Sequence, residues 1–195
     1  AILGLAVDRC SNDELAVSAL RKMTSHMNQP PDKPSRFSAV RATPFGAMGV
    51  CVESDVIAEL VFLPRGTQAV SPKAGVAREA CRQIDAFVRD PDFVFDLPLK
   101  LVGTPFQRRV WDAIAAIPRG RTRQYGELAR ELGAAPRAVG QACGANFFPL
   151  VIPCHRVVAA SGLGGFARHE RGYYLGVKRW LLAHEDGAPE SGRLI

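Results

Sequence analysis

The sequence predicts an α+β protein: a small N-terminal domain with a three-stranded antiparallel sheet and a helix, followed by a mainly helical C-terminal domain containing a helix-turn-helix. Three observations carry this expectation. Between Phe37 and Leu63, three strand-like apolar runs alternate with short turn signals. From Thr104 onward, apolar residues recur at three- and four-residue spacing instead. Gly133-Ala134-Ala135-Pro136 then separates two short helical segments, with glycine ending one and proline opening the next.

Taken in order, Ser11-Asn12-Asp13-Glu14 reads as a capping box opening a short helix through Leu15, Ala19, Leu20 and Met23. Pro30-Pro31-Asp32-Lys33-Pro34 breaks the chain, so residues 1–36 are read as an N-terminal extension and linker. The runs Phe37 to Ala42, Gly46 to Val52 and Val56 to Leu63 form the meander. Ser71 as N-cap and Pro72 at the first helical position are expected to start a helix that buries Val76, Ala80, Ile84, Phe87 and Val88. Composition changes after Leu97, which places the boundary there: an α+β domain over 37–97 and a second domain over 98–195.

In the second domain, Thr104 caps a helix with Pro105 at its first position. Phe106, Val110, Trp111, Ile114 and Ile117 face inward, and Pro118 and Gly120 end it. Tyr125 to Leu132 gives a short helix, and Pro136 to Ala145 another. The latter is nearly without bulk at Ala138, Gly140, Ala142, Gly144 and Ala145, although each interior glycine costs roughly 1 kcal/mol of helix stability. Of two readings, tight packing on another helix or close approach of a nucleic-acid backbone with Arg137 at the exposed end, the surrounding arginines favour the second.

The bulk numbers narrow the function class. The chain has 195 residues, 47% hydrophobic and 23% charged, enough for a substantial core. The apolar run Ile2 to Val7 stops at Asp8, far short of a membrane span or signal region, so a cytoplasmic setting with no membrane partner is expected. Five scattered cysteines without a C-x-x-C pair argue against a disulfide framework and against a zinc module, hence reduced thiols and no metal. The net charge is +6, and between Pro105 and Ala145 seven arginines face three acids, as a nucleic-acid footprint would.

Val151-Ile152-Pro153-Cys154-His155-Arg156 sets a thiol and an imidazole side by side at the end of an apolar run. A cysteine with pKa about 8.5 is only a few per cent ionised at pH 7, so a nucleophilic sulfur needs nearby help. Arg156 and His155 offer it. On a regular strand, adjacent side chains point apart, so His155 would act through a relay, with Glu185 as the carboxylate behind its far nitrogen.

The stretch Pro153-Cys154-His155-Arg156-Val157 belongs to an ordered set. It includes Gly103-Thr104-Pro105-Phe106-Gln107, Val110-Trp111, Tyr125-Gly126-Glu127-Leu128-Ala129, Arg137-Ala138-Val139-Gly140, Asn146 and Lys178-Arg179-Trp180-Leu181-Leu182-Ala183-His184-Glu185. This set resembles the O(6)-alkylguanine-DNA alkyltransferases, closely over residues 98–190 and more loosely over 37–97. The resemblance implies a DNA-repair protein that flips an alkylated guanine, or O(4)-alkylthymine, out of double-stranded DNA. It then takes the alkyl group irreversibly, once per molecule, without cofactor or metal. Cys154 is then the acceptor, His155 its activator, Glu185 and Asn146 the supporting network, and Tyr125 the aid to the leaving purine. Arg137 is the inserted finger, with Ala138, Gly140, Gln141 and Arg123 as further DNA contacts. Val157, Phe166, Ala167 and Pro149 shape the pocket. A monomer, with clustering on DNA left open, is the expected state.

One departure stands out: Arg168 to Tyr174 is an apparent insertion in the pocket wall, and Gly172-Tyr173 could fill the aromatic position instead of Phe166. Competing readings are a non-catalytic sensor of alkyl damage, a cysteine hydrolase, and a plain transcription factor. The cluster of Cys154, His155, Asn146 and Glu185 speaks against the sensor and the transcription factor, neither of which needs a nucleophile. Multiple turnovers of an ester, independent of DNA, would mark the hydrolase.

Overall fold

Three strands, β1 (Ala39–Thr43), β2 (Gly46–Glu53) and β3 (Val56–Leu63), pair as an antiparallel meander in the order β1-β2-β3, with Val40 opposite Gly49 and Val50 opposite Leu60. Ser54 and Asp55 both take left-handed φ values, 48° and 61°, the two-residue turn whose twist matches that of the flanking strands. The computed structural model describes residues 36–187 other than 74 and 170, so the predicted helix at Ser11 and the proline linker lie outside the described residues. The chain divides between Arg36 and Phe37, and Phe37–Ile195 makes one unit.

Helix α1 (Gly75–Arg89) buries Ala77, Ala80, Ile84 and Phe87 at the spacing the sequence predicts. Its start differs from expectation: Ser71 and Pro72 precede the helix. Val40 N–H donates to Val70 O at 2.9 Å and Val70 N–H returns to Val40 O at 3.2 Å. This bridge holds the approach to α1 extended, and the helix can begin only after it.

The segment around the predicted boundary is bound to the sheet. Ile57 N–H donates to Pro98 O at 2.7 Å and Lys100 N–H to Ile57 O at 2.8 Å. Helix α2 (Pro105–Ala115) begins as expected: Thr104 Oγ1 accepts from Gln107 N at 3.2 Å, and Gln107 Oε1 accepts from Thr104 N at 2.8 Å. It ends before Ile117, which is buried all the same. Helices α3 (Tyr125–Glu131) and α4 (Pro136–Gly144) follow, and Gly133 at φ 62° makes the turn between them. Trp111 Nε1 donates to Ala142 O at 2.9 Å, fixing α4 against α2.

Two features were not legible from periodicity. Strand β4 (Arg123–Gln124) pairs in parallel with β5 (Val157–Val158), and Cys154–Arg156 form a 3-10 turn. Helix α5 (Tyr173–Glu185) then closes the fold with Val177 and Leu181 buried. The cluster built on the sheet and α1 also takes in Phe148, Leu150, Cys154, Phe166 and Leu181. A second cluster joins Val110, Trp111 and Ile114 of α2 to Leu128, Val139 and Val157. The loop after α4 is thus cemented to the sheet, and Leu60 N–H donates to Phe147 O at 2.8 Å to hold it there.

Candidate active site

The thiol sits where the chain stops being extended. Leu150 takes a φ of 77°, and Cys154 N–H turns back to Ile152 O at 2.8 Å. On the 3-10 turn, neighbouring side chains diverge by about 120° rather than facing opposite ways. Cys154 therefore faces a cavity while the His155 ring is carried toward α5. Asn146 fixes the sulfur from the other side. Its Nδ2 donates to Cys154 Sγ at 3.3 Å and to Ile152 O at 2.8 Å, while its Oδ1 accepts from Phe148 N at 2.9 Å. Each polar atom of this amide is engaged, so the loop and the sulfur share one anchor.

His155 and Glu185 are 1% and 2% exposed, with Nε2 2.7 Å from Oε1. Because an ionised carboxylate only accepts, Nε2 carries the proton and Nδ1 is the acceptor. Arg156 completes the cage. Its Nε donates to Glu185 Oε2 at 2.9 Å, Nη2 to Oε1 at 2.8 Å, and Nη1 to Ile117 O at 2.6 Å. Burial pushes the Glu185 carboxyl up, but the hydrogen bonds and charges of His155 and Arg156 outweigh it and hold the group down at about 2. Burial also lowers the His155 pKa, against the pull of Glu185, so the ring is a neutral base at pH 7.

The expectation for Arg156 needs correction. Its guanidinium is committed to Glu185 and Ile117 O, and the positive charge that acts on Cys154 is Lys178. Burial raises the Cys154 pKa, while the Asn146 hydrogen bond and Lys178 oppose that rise. At rest the sulfur is protonated. Lys178 is 0% exposed, and its Nζ donates to Val157 O at 2.7 Å, Leu163 O at 2.6 Å and Gly165 O at 3.1 Å. Burial lowers its pKa to about 8. The missed signal was a lysine on the same apolar stripe as Leu181 and Glu185, where an unpaired charge has no reason to stand. Tyr125 OH donates to Gly165 O at 3.1 Å, and burial raises its pKa well above the phenol range.

A cavity of about 250 Å3 opens onto Cys154, walled by Tyr125, Gly140, Gly144, Phe166, Ala167 and Arg168. A smaller one of about 130 Å3 reaches the thiol past Asn146, Pro149 and Tyr174. Phe166 is the aromatic wall, while Tyr173 turns away to bond Leu63 O. A β-carbon on Gly140 would meet nothing within 4 Å, so its smallness leaves open space rather than a tight helix contact. Cys143 of α4, buried and pushed up to about 12, is a second thiol in the same wall.

The other expected residues divide. Arg137 is exposed on the first turn of α4, one turn before Gly140 on the same face. Ala138 and Gln141 line a groove of about 510 Å3 with Thr104, Phe106 and Gln107. Arg123 does not join them: it pairs with Glu131 at 2.6 Å. Val157 is placed outside the cavity wall, wholly buried in the second cluster. Arg119, though exposed, is likewise paired, with Asp92 and the Glu185 carbonyl, so the basic segment presents fewer free arginines than its composition implies. Among the described residues no cluster of His, Cys, Asp or Glu could hold a metal, and no helix is long and apolar enough to cross a membrane.

Comparison with known proteins agrees with this geometry. The family model described as the DNA-binding domain of 6-O-methylguanine DNA methyltransferase matches residues 105–187. A methylated-DNA-protein-cysteine methyltransferase of Mycobacterium leprae is 47% identical over 93 residues, 47% of this chain, which spans only 56% of that relative's length. A DNA base-flipping protein of Thermus thermophilus is 45% identical over 129 residues, covering 65% of this chain and 83% of its own. The structure of Mycobacterium tuberculosis OGT in complex with DNA superposes with a TM-score of 0.64 at 38% identity, over 77% of this chain and 94% of that one.

Proposed function

The chain belongs to the 6-O-methylguanine DNA methyltransferase family, and from that premise we propose that it transfers the alkyl group of O(6)-alkylguanine in double-stranded DNA to its own Cys154, once. The observation that carries this reading is the sulfur at the floor of an open cavity, hydrogen-bonded by Asn146 and backed by a buried His155-Glu185 pair. O(4)-alkylthymine offers the same electrophilic carbon and is the second substrate. The domain over 37–97 supports the acceptor loop of the domain over 98–195, and the protein acts as a cytoplasmic monomer.

The base must first leave the duplex, at a cost of a few kcal/mol. Arg137, exposed one turn from Gly140, is the group that takes its place. As the sulfur attacks the saturated carbon, the S–C bond forms and the C–O6 bond breaks. Its electron pair passes to the purine, and the thiol proton passes by way of a water to His155 Nδ1. The resulting imidazolium faces the Glu185 carboxylate at 2.7 Å. Tyr125 keeps its proton at any working pH and can donate a hydrogen bond to the departing purine, which takes up its proton from water. The thioether product carries no group that water can displace, so the molecule is consumed.

The test is intact mass after incubation with a duplex holding one O(6)-methylguanine. The expected gain is one CH2 per chain, saturating at one equivalent. A sensor that only flips bases, the reading that the Thermus thermophilus relative's name would favour, predicts binding without any gain. Arg137→Ala is expected to slow transfer from duplex roughly 100-fold, a loss of about 3 kcal/mol in extrusion, and to leave reaction with free O(6)-benzylguanine unchanged. Equal losses on both substrates would remove the finger role.

A further inference from the structure

The segment that departs from the family pattern carries a feature of its own. Phe166 and His169 exchange two backbone hydrogen bonds of 2.8 Å each, closing a hairpin whose two central residues are Ala167 and Arg168. Both have left-handed φ, 49° and 66°. That turn is dominated by asparagine and glycine, and residues with a larger side chain adopt it only when their surroundings hold them there. The holding contacts are visible. Phe166 is 4% exposed and packs on Phe62 at 5.5 Å between ring centroids, while His169 stacks on Tyr174 at 4.2 Å.

The strained turn puts Arg168 at one particular spot. Its Nε donates to Gly144 O at the end of α4 at 3.0 Å, and its Cγ lies 2.9 Å from where a β-carbon on Gly144 would be. Arg168 also lines both the cavity over Cys154 and the groove between α2 and α4. The other residues of that groove are small, polar or aromatic, so among the described residues Arg168 is the charge the two spaces share.

We infer that Arg168 is a phosphate-binding residue for the strand that carries the extruded nucleotide. The inference rests on the alkyl-transfer reading, since only a flipped nucleotide brings its backbone across this rim. A base seated over Cys154 must trail its two phosphates over the lip between cavity and groove. The guanidinium there presents nitrogens beyond the Nε held by Gly144, in the planar fork that suits phosphate oxygens. The strained turn fixes where that fork stands before DNA arrives.

The experiment compares Arg168→Ala, Arg168→Lys and the double variant Ala167→Asn with Arg168→Gly, which gives the turn its preferred residues while removing the charge. Duplex affinity is measured against salt in a Cys154→Ser background, and transfer rates are measured with Cys154 present. The expected result is a several-fold loss of duplex affinity for the alanine and double variants. Their slope of log K against log salt should fall by about 0.9, one phosphate contact, while Arg168→Lys retains it. Ala167 and Arg168 also wall the cavity, so transfer is read as the ratio of duplex to free O(6)-benzylguanine rates, which should fall several-fold for Arg168→Ala and be kept by Arg168→Lys. An unaltered salt slope overturns the inference, as does an equal loss on free base and duplex in Arg168→Ala. A faster free-base reaction with an unaltered slope also overturns it and makes Arg168 a plug of the cavity. Absence of transfer from either substrate with Cys154 present would instead refute the alkyl-transfer reading, which the salt slope does not depend on.

Discussion

Cys154→Ser is expected to abolish the gain in mass, with a rate loss on the scale of roughly a million-fold that follows removal of a catalytic nucleophile. The reason is electronic rather than structural. A hydroxyl of the same shape still accepts from Asn146 Nδ2, so the fold should keep its stability to within about 1 kcal/mol. Serine oxygen, however, is a poor nucleophile at saturated carbon, and His155, with its lowered pKa, is too weak a base to ionise it. Intact-mass measurement decides the matter, with urea unfolding as the check on folding. Residual transfer in Cys154→Ser would point to Cys143, the other thiol in the wall.

Glu185→Gln is expected to cost both rate and stability. A neutral amide cannot stabilise the imidazolium that forms at His155, and it leaves Arg156 without its buried anion. Rate losses of about 10^4 follow loss of such an orienting carboxylate, and breaking a buried ion pair typically costs about 3–5 kcal/mol. The pH dependence has a definite sign. The carboxyl is lowered from 4.5 to about 2 in the fold, so the stability it contributes is fully present above pH 4.5 and is lost as pH falls through about 2. The drop corresponds to on the order of 3 kcal/mol. Urea midpoints of the two proteins should therefore differ most at pH 5 and above and converge toward pH 2. A constant gap across that range would mean that the carboxylate is not the source.

The parts legible in the sequence were those with a local code. Thr104-Pro105 with Gln107, Gly133 before Pro136, and the apolar spacing of Ala80, Ile84 and Phe87 each specify a helix end or face without reference to the rest of the chain. What escaped depends on partners distant in sequence. Two-residue strands such as β4 and β5 have no periodicity, and their pairing, Arg123 with Val157 and Gln124 with Val158, joins segments on either side of α3 and α4. Ser71-Pro72 is a good local start that loses to the bridge between Val40 and Val70.

The site divides in the same way. Cys154, His155, Asn146 and Glu185 are marked by residue type, and the structure joins them as two hydrogen-bonded pairs, Asn146 with Cys154 and His155 with Glu185. The duty of Arg156 needs the fold, which alone shows that Glu185 takes its Nε and Nη2 and Ile117 O its Nη1. Lys178 carries no local mark of its role, because a basic residue beside Arg179 reads as surface until its burial against three carbonyls is seen.

On the proposed alkyl-transfer reading, the burial that keeps Cys154 protonated also has a temporal meaning. A thiol 6% exposed and held protonated by burial should resist peroxide and small electrophiles such as iodoacetamide while it waits. Long idle life and fast response would otherwise demand opposite sulfurs. On that reading, a sheltered thiol stays in storage until the lesion unlocks it.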